Sequence, residues 1–147
     1  RHATVLRRGQ THTLADHAPP PPPAIAPADR FLFTVDPAVE RARLLHRIPL
    51  PLVHPQLGLF TGPQPLDHPF LTPFRLLAEL PFHPQNPRKL KAWLRDHDAG
   101  LVEIKTRGKA VNPDPLQTQL RGPGQTPYTL FILRWDRALR AHITQRL

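Results

Sequence analysis

The chain has 147 residues, of which 20 are basic and 11 acidic, and it contains no Cys, Met or Ser. The lack of Cys and Ser excludes disulfides, thiolate metal sites and hydrolases that use a serine or cysteine nucleophile. The lack of an initiating Met predicts that the start was processed away or that the chain is a fragment of a longer protein.

Proline and charge are distributed unevenly along the chain. Seventeen of the 21 prolines lie at or before Pro87. Residues 1–74 carry 7 basic and 5 acidic groups, a net charge of +2, whereas residues 75–147 carry 13 and 6, a net charge of +7. Sixteen of the basic residues are Arg, whose planar fork suits phosphate, although a GC-rich genome would produce the same bias. No apolar run approaches the roughly 18 residues of a membrane span, so we expect a cytoplasmic protein without a membrane partner.

The proline-rich first half predicts short elements. In chain order they are strands at residues 3–7, 11–14 and 31–35, a helix from Asp36 to about His46, and a strand near Leu57–Phe60. Pro19 to Pro23 are five consecutive prolines that must be extended, and we interpret them as a stiff connector rather than as a ligand for an SH3-type domain. Asp36-Pro37 is typical of a helix start, because Asp caps the first turn and Pro fits the first helical position.

The second half predicts longer, regular elements. They are a strand at Phe74–Leu80, a helix capped by Asn86 and ended by Gly100, a strand at Leu101–Lys105, a helix that starts at Asn112-Pro113, and strands at Tyr128–Trp135 and Ala138–Gln145. Leu90, Trp93, Leu94 and His97 recur at helical spacing as a buried face. The strand at 128–135 is apolar on both faces and therefore central, whereas the alternation at 138–145 predicts one buried and one solvated face.

The order βαβαββ predicts an α+β fold. We expect a C-terminal two-layer sandwich in which two helices cover one face of a four-stranded mixed sheet, preceded by a proline-rich connector segment with short strands and one helix. The sequence shows no catalytic, cofactor-binding or metal-binding residues that we would name. Its one G-x-G, Gly122-Pro123-Gly124, follows a helix, the reverse of a nucleotide-binding loop, so we interpret it as a turn.

The basic residues of the second half are the candidate site. Cations in the first turn of a helix oppose its macrodipole, and a negatively charged partner would reverse that penalty. A phosphate-backbone surface for RNA is one interpretation, and a solvated face of an arginine-rich protein is the other. The candidate nucleic-acid-binding residues are Arg88, Lys89, Lys91, Lys105, Arg107, Lys109 and Arg121.

Several segments resemble a known family. Leu80-Pro81-Phe82, Leu90-Lys91, Val102–Gly108 and Val111-Asn112-Pro113 occur in the order seen in the THUMP-like domain at the C-terminus of a family of bacterial class I SAM-dependent methyltransferases. Upstream, Phe31–Val39 and Arg41-Ala42 are similar to a second family segment, from which Val35 and Glu40 depart. The resemblance covers about residues 31–147 and is strongest over 74–121.

The resemblance implies a division into three parts. Residues 1–30 would be the end of an upstream catalytic domain plus a polyproline linker, 31–73 a connector, and 74–147 the THUMP-like domain. SAM would bind in the missing N-terminal domain, so this chain would not itself be an enzyme. It would be a noncatalytic accessory domain that binds RNA for an RNA-directed methyltransferase. The alternative is a structural domain that packs on the methyltransferase domain, or makes a homo-oligomer, without binding nucleic acid.

Overall fold

The computed structural model describes residues 1–19, 21–54, 58–107 and 110–147. Contacts divide the chain into two compact units, an N-terminal unit of Arg1–Phe74 and a C-terminal unit of Arg75–Leu147. A two-stranded sheet contains β1 and β2, and the larger sheet has the order β4-β3-β5-β8-β7-β6. The elements are β1 (His2–Arg7), β2 (Gln10–Ala15), β3 (Phe31–Val35), α1 (Pro37–Arg41), β4 (Leu59–Gly62), β5 (Leu71–Phe82), α2 (Arg88–Asp96), β6 (Ala99–Thr106), α3 (Pro113–Leu120), β7 (Thr126–Trp135) and β8 (Ala138–Arg146).

The N-terminal unit consists of short elements around an apolar core. β1 and β2 form the predicted antiparallel hairpin, and both residues of its Arg8-Gly9 turn have a positive φ, as a tight hairpin requires. β3 pairs antiparallel with β4, which is the strand predicted near Leu57–Phe60, although Leu57 lies outside the described residues. The core is formed by Ala3, Phe33, Val35, Val39, Leu44, Ile48, Leu52, Phe60, Phe70 and Leu71.

The helix predicted from Asp36 to His46 is shorter than expected. Its start is confirmed, because Oδ1 of Asp36 accepts a hydrogen bond of 2.9 Å from the backbone N–H of Ala38. α1 nevertheless ends at Arg41. Arg43 has a φ of 58°, a left-handed conformation that a right-handed helix does not contain. A separate 3₁₀ turn follows at Leu45–Arg47.

The C-terminal unit has the predicted α+β architecture. β6 is parallel to β7, β7 is antiparallel to β8, and β5 lies on the other side of β8. A single apolar cluster combines residues of these strands with Leu90 and Leu94 of α2 and Leu116 and Leu120 of α3. Both helices therefore cover the same face of a mixed sheet.

The prediction that β8 has one solvated face is wrong. His142 and Thr144, on the face opposite the helices, are 2% and 0% exposed. β8 is an inner strand with neighbours on both sides, and its polar side chains bond to the backbone of β7. The hydroxyl of Thr144 donates to the carbonyl of Thr129 at 2.7 Å, and Nδ1 of His142 lies 3.3 Å from the carbonyl oxygen of Phe131. These bonds let an alternating strand be buried on both faces.

Both predicted boundaries of α2 are also wrong. The N-cap is Pro87 rather than Asn86, and no side chain caps the first turn. The helix ends at Asp96, and Asp98, with a φ of 57°, adopts the left-handed conformation expected of Gly100. Gly100 lies in β6 instead, where an added Cβ would stand 2.4 Å from the carbonyl oxygen of Gly124. Gly100 therefore permits a close approach of two backbones rather than a helix stop.

The helices of the described ranges are short, and α2 is the longest at nine residues. None of them has the length and apolar character that a membrane span requires.

Candidate nucleic-acid interface

Three exposed cations form a line along α2. The helix buries Leu90 and Leu94 against the sheet. Arg88, Lys91 and Arg95 are exposed and spaced i, i+3 and i+7, which places them in one row along the helix. Lys89 is exposed in the same first turn. The row contains two of the predicted residues and adds Arg95, which the sequence interpretation missed although it lies one turn beyond Lys91.

An aromatic cluster fixes α2 on β7. The ring of Trp93 stacks on His97 with centroids 3.8 Å apart and meets Tyr128 edge-on at 5.3 Å. The Tyr128 hydroxyl donates a hydrogen bond of 2.7 Å to the carbonyl of His97. Burial raises the pKa of this hydroxyl above its usual value, so it remains a donor at neutral pH. His97, predicted to face the core, is instead exposed and held by this stacking.

A cleft lies between α2 and the loop that leads from α3 to β7. We call it the α2–loop cleft, and its volume is about 390 Å³. Lys91 and Arg95 line it from α2, and Arg121 lines it from the end of α3. Its lining also includes the buried side chains of Leu94 and Leu120. Two predicted residues, Lys91 and Arg121, are thus brought together although 30 positions separate them.

The loop side of the cleft is fixed by backbone hydrogen bonds. The N–H of Gly122 donates to the carbonyl of Gly100 at 3.0 Å, and the N–H of Gly124 donates to the carbonyl of Ala99 at 2.9 Å. A Cβ at Gly122 would stand 2.3 Å from the oxygen of Ala99, and one at Gly124 would stand 2.2 Å from the oxygen of Asp98. These glycines therefore allow close packing, and their amides are already used within the unit.

Positive charge exceeds negative charge at the cleft. Asp98 is the one carboxylate among its described lining residues, and it accepts weak hydrogen bonds from the N–H of Gln125 (3.3 Å) and the hydroxyl of Thr126 (3.4 Å). Arg95 contacts Asp96 at 3.4 Å through side chains that are 77% and 64% exposed, so water weakens this pair. Within the described ranges, no carboxylate pairs with Lys91 or Arg121.

The remaining predicted residues do not join this cleft. Val102 and Ile104 of β6 point toward the helices, so Lys105 lies on the opposite face of the strand. Its ammonium group is 3.1 Å from the carboxylate of Glu103 on the same strand. Arg107 donates a hydrogen bond to the carbonyl of Thr106. Lys109 lies outside the described residues.

The described residues form no metal site, and the N-terminal unit has a cavity of its own. No group of three His, Cys, Asp or Glu side chains in the described ranges could hold a metal ion. The N-terminal unit has a cavity of about 540 Å³ with a mainly apolar wall that includes Ile48, Leu52 and Phe60. Its titratable groups are Glu40, Arg43 and His46, and Nε2 of His46 is 2.8 Å from the carboxylate of Asp16.

Comparisons with known proteins agree with the fold and with the family resemblance. The family model of the THUMP domain-like family matches residues 71–146. Proteins from two strains of Mycobacterium tuberculosis, both described as uncharacterised S-adenosylmethionine-dependent methyltransferases, are 31% identical over 148 residues; the alignment covers 98% of this chain. The chain spans only 39% of the length of these relatives.

A solved structure shares the fold. A Porphyromonas gingivalis protein described as a "putative methyltransferase" superimposes with a TM-score of 0.63 over 81% of this chain and 29% of its own, at 17% sequence identity. The family match extends over half of the chain, includes α2, β6 and α3, and confirms the resemblance seen in the sequence. The chain therefore belongs to the THUMP domain-like family and is related to SAM-dependent methyltransferases.

Proposed function

We propose that this chain is a noncatalytic, RNA-binding accessory part of a SAM-dependent, RNA-directed methyltransferase. The observation that carries the proposal is the charge of the C-terminal unit. This unit has a net charge of +7 and contains all four lysines of the chain. Arg88, Lys91 and Arg95 project from one helix, and Arg121 lines the cleft beside it. A row of exposed cations on a firmly packed helix suits the regularly spaced charges of a phosphate backbone.

The charge on α2 is unfavourable for the helix itself. Arg88 and Lys89 lie in its first turn, where no acidic residue offsets the macrodipole. Lys91 and Arg95 lie one turn apart and repel each other. Each of these costs disappears when a polyanion lies along the helix. The arrangement is thus better suited to an RNA complex than to the isolated chain.

We propose that SAM and the catalytic machinery belong to the part of the relatives that this chain does not match. The chain's one G-x-G does not fit a cofactor loop, because the amides of Gly122 and Gly124 already donate to backbone carbonyls. In this proposal the β1–β2 hairpin is the end of the upstream domain's sheet. The upstream domain is then the chain's permanent partner in a bacterial cytoplasmic enzyme.

A structural role without nucleic acid is the second candidate. It is favoured by two exposed apolar side chains, Leu6 of the hairpin at 71% and Leu101 of the edge strand β6 at 59%. Both suit contact with another protein domain or a second copy of the chain. If this role is the whole function, removing the cations of α2 leaves the activity of a full-length methyltransferase unchanged.

The test is RNA binding by the 147-residue chain as a function of salt. We expect a tRNA pool to bind at low salt, with affinity falling steeply as salt rises. A variant with Arg88, Lys89, Lys91 and Arg121 changed to Gln should lower the slope of log K against log salt by about 3, at roughly 0.7 per lost phosphate contact. The matched control changes four exposed arginines elsewhere, Arg30, Arg41, Arg47 and Arg137. Equal slopes for both variants, or no binding by the unaltered chain, would contradict the proposal.

A further inference from the structure

We infer that the α2–loop cleft is the phosphate-binding subsite of this RNA interface, with Lys91, Arg95 and Arg121 as its ligands. The inference rests on the proposed function and assigns it to one place. It goes beyond the sequence prediction in two ways. It adds Arg95, and it leaves Lys105, on the other face of β6, outside the site.

Convergence of charge from separate elements is the first argument. Lys91 and Arg95 come from α2, whereas Arg121 follows α3, so the fold itself brings them around one cavity. Cations that repel each other are held together here without a carboxylate at ion-pair distance from Lys91 or Arg121 in the described ranges. Asp98 contributes one negative charge, and its carboxylate also accepts from Gln125 and Thr126. A bound phosphate would supply the missing negative charge.

The chemistry of the lining is the second argument. Two of the three cations are arginines, whose forked N–H groups match phosphate oxygens bidentately. The loop amides cannot contribute, because those of Gly122 and Gly124 are bonded to β6. Recognition therefore depends on side chains, and charge neutralisation is the dominant force. A site of this kind is strongly sensitive to salt.

The size of the cleft is the third argument. About 390 Å³ lies within the range of small-ligand pockets and admits a single nucleotide rather than a base pair. Leu94, Leu120 and Pro123 give it an apolar part beside the cations, which suits the sugar or base attached to the phosphate. The walls are already formed, since backbone hydrogen bonds hold the loop and the aromatic cluster holds α2.

The experiment compares two triple variants of the whole chain. One has Lys91, Arg95 and Arg121 changed to Gln, and the control has Arg134, Arg137 and Arg146, exposed cations of the same unit, changed to Gln. Binding of a 12-nucleotide single-stranded RNA is measured across a salt series. We expect the cleft variant to lose affinity on the order of 100-fold at 0.1 M salt and its salt slope to fall by about 2. The control should lose no more than about threefold, because none of its three arginines lines the cleft.

Two forms of the RNA, with and without a 5′-phosphate, identify the source of the phosphate. A loss confined to the phosphorylated form assigns the cleft to a terminal phosphate, and an equal loss for both assigns it to an internucleotide phosphate. Either result supports the subsite. Fluorescence of Trp93 and Trp135 checks that both variants are folded. If the two variants lose affinity equally, the subsite is refuted while RNA binding stands, and if the unaltered chain does not bind RNA, both proposals fail.

Discussion

The two units are nearly equal in length, but they keep their structure by different means. The N-terminal unit contains 14 of the 21 prolines. Apart from β5, its strands have only four to six residues. The C-terminal unit contains 7 prolines, and β6, β7 and β8 have eight to ten residues. Proline removes a backbone donor, which agrees with the short strands of the proline-rich unit. β5, which has 12 residues and crosses from one unit into the other, is the exception and contains Pro73 and Pro81.

The two units are therefore sensitive to the loss of different kinds of contact. In the N-terminal unit, individual polar side chains replace the missing ladder bonds. The buried hydroxyl of Thr61 accepts from the N–H of Asp29 at 2.7 Å and donates to the carbonyl of Phe31 at 2.9 Å. Arg7 bonds to the carbonyl of His68 and pairs with Asp67. The C-terminal unit is stabilised mainly by the apolar contacts between its strands and its two helices.

The greatest loss of stability is expected from a substitution in the apolar core of the C-terminal unit. Leu130 is 0% exposed, so Leu130→Ala removes buried methyl groups and leaves a cavity; we expect a loss of about 2–5 kcal/mol in the free energy of unfolding. Leu101→Ala, at a side chain 59% exposed, should change it by less than about 0.5 kcal/mol. Urea unfolding followed by tryptophan fluorescence measures this unit, because both tryptophans lie in it. Similar losses for the two variants would contradict the assigned core.

The next effect compares buried hydroxyl groups in the two units. Thr61→Val leaves two backbone partners without their bond, and we expect a loss of about 1–3 kcal/mol. Thr144→Val removes the hydrogen bond to one backbone partner, the carbonyl of Thr129, and should cost about 0.5–1.5 kcal/mol. Hydrogen exchange read by mass spectrometry locates each loss in its own unit. If Thr144→Val proves the more costly, the N-terminal unit does not depend on single polar groups more than the C-terminal unit does.

A pH effect follows from the buried His142 of the C-terminal unit. Burial lowers the pKa of His142 below 6.5 despite Glu79 at 3.8 Å, and Arg140 adds to the lowering. The unfolded chain then binds a proton that the folded chain does not, so stability is complete above about pH 6.5 and falls as the pH drops below it. The slope for one group is at most about 1.4 kcal/mol per pH unit. His142→Gln should reduce the pH dependence of the free energy of unfolding between pH 7 and 5.5, as measured by tryptophan fluorescence.

His68 offers the same test in the N-terminal unit. Burial, with Arg7 and His12 nearby, lowers its pKa, so the sign of the effect is the same. In the N-terminal unit, His68→Gln should reduce the loss of hydrogen-exchange protection as the pH falls. In the C-terminal unit, the pH dependence of unfolding followed by tryptophan fluorescence should not change. A change in fluorescence alone would show that the histidines have been assigned to the wrong transitions.

Much of the fold could be predicted because periodicity is a local signal. The apolar run of β7 marked a central strand, and Leu116 and Leu120 marked the inner face of α3. The prediction of a solvated face on β8 is wrong because the partners of His142 and Thr144 are carbonyls of another strand, which the sequence does not display. The end of α1 depended on the backbone conformation of Arg43, another feature without a sequence signature.

The candidate site could be predicted only in part, for similar reasons. Charge and helix position identified Lys91 and Arg121, but their meeting depends on the packing of the Gly122–Gly124 loop against β6. Arg95 could have been found from its helical spacing to Arg88 and Lys91. The alternation of Val102 and Ile104 along β6 predicts that Lys105 lies on the face of the strand opposite the helices.

The smallest expected effect concerns helix caps, where one sequence signal has different outcomes in the two units. Asp36-Pro37 and Asn112-Pro113 look alike, but only the Asp36 side chain accepts a bond from its helix. In α3 the third helical residue is Pro115, which has no N–H to donate, so a cap at Asn112 has fewer partners. We expect Asp36→Ala to cost about 1 kcal/mol and Asn112→Ala almost nothing, as measured by urea unfolding with circular dichroism. An equal cost at both positions would mean that Asn112 caps α3 in solution, and the contrast between the two units would then not extend to their helix starts.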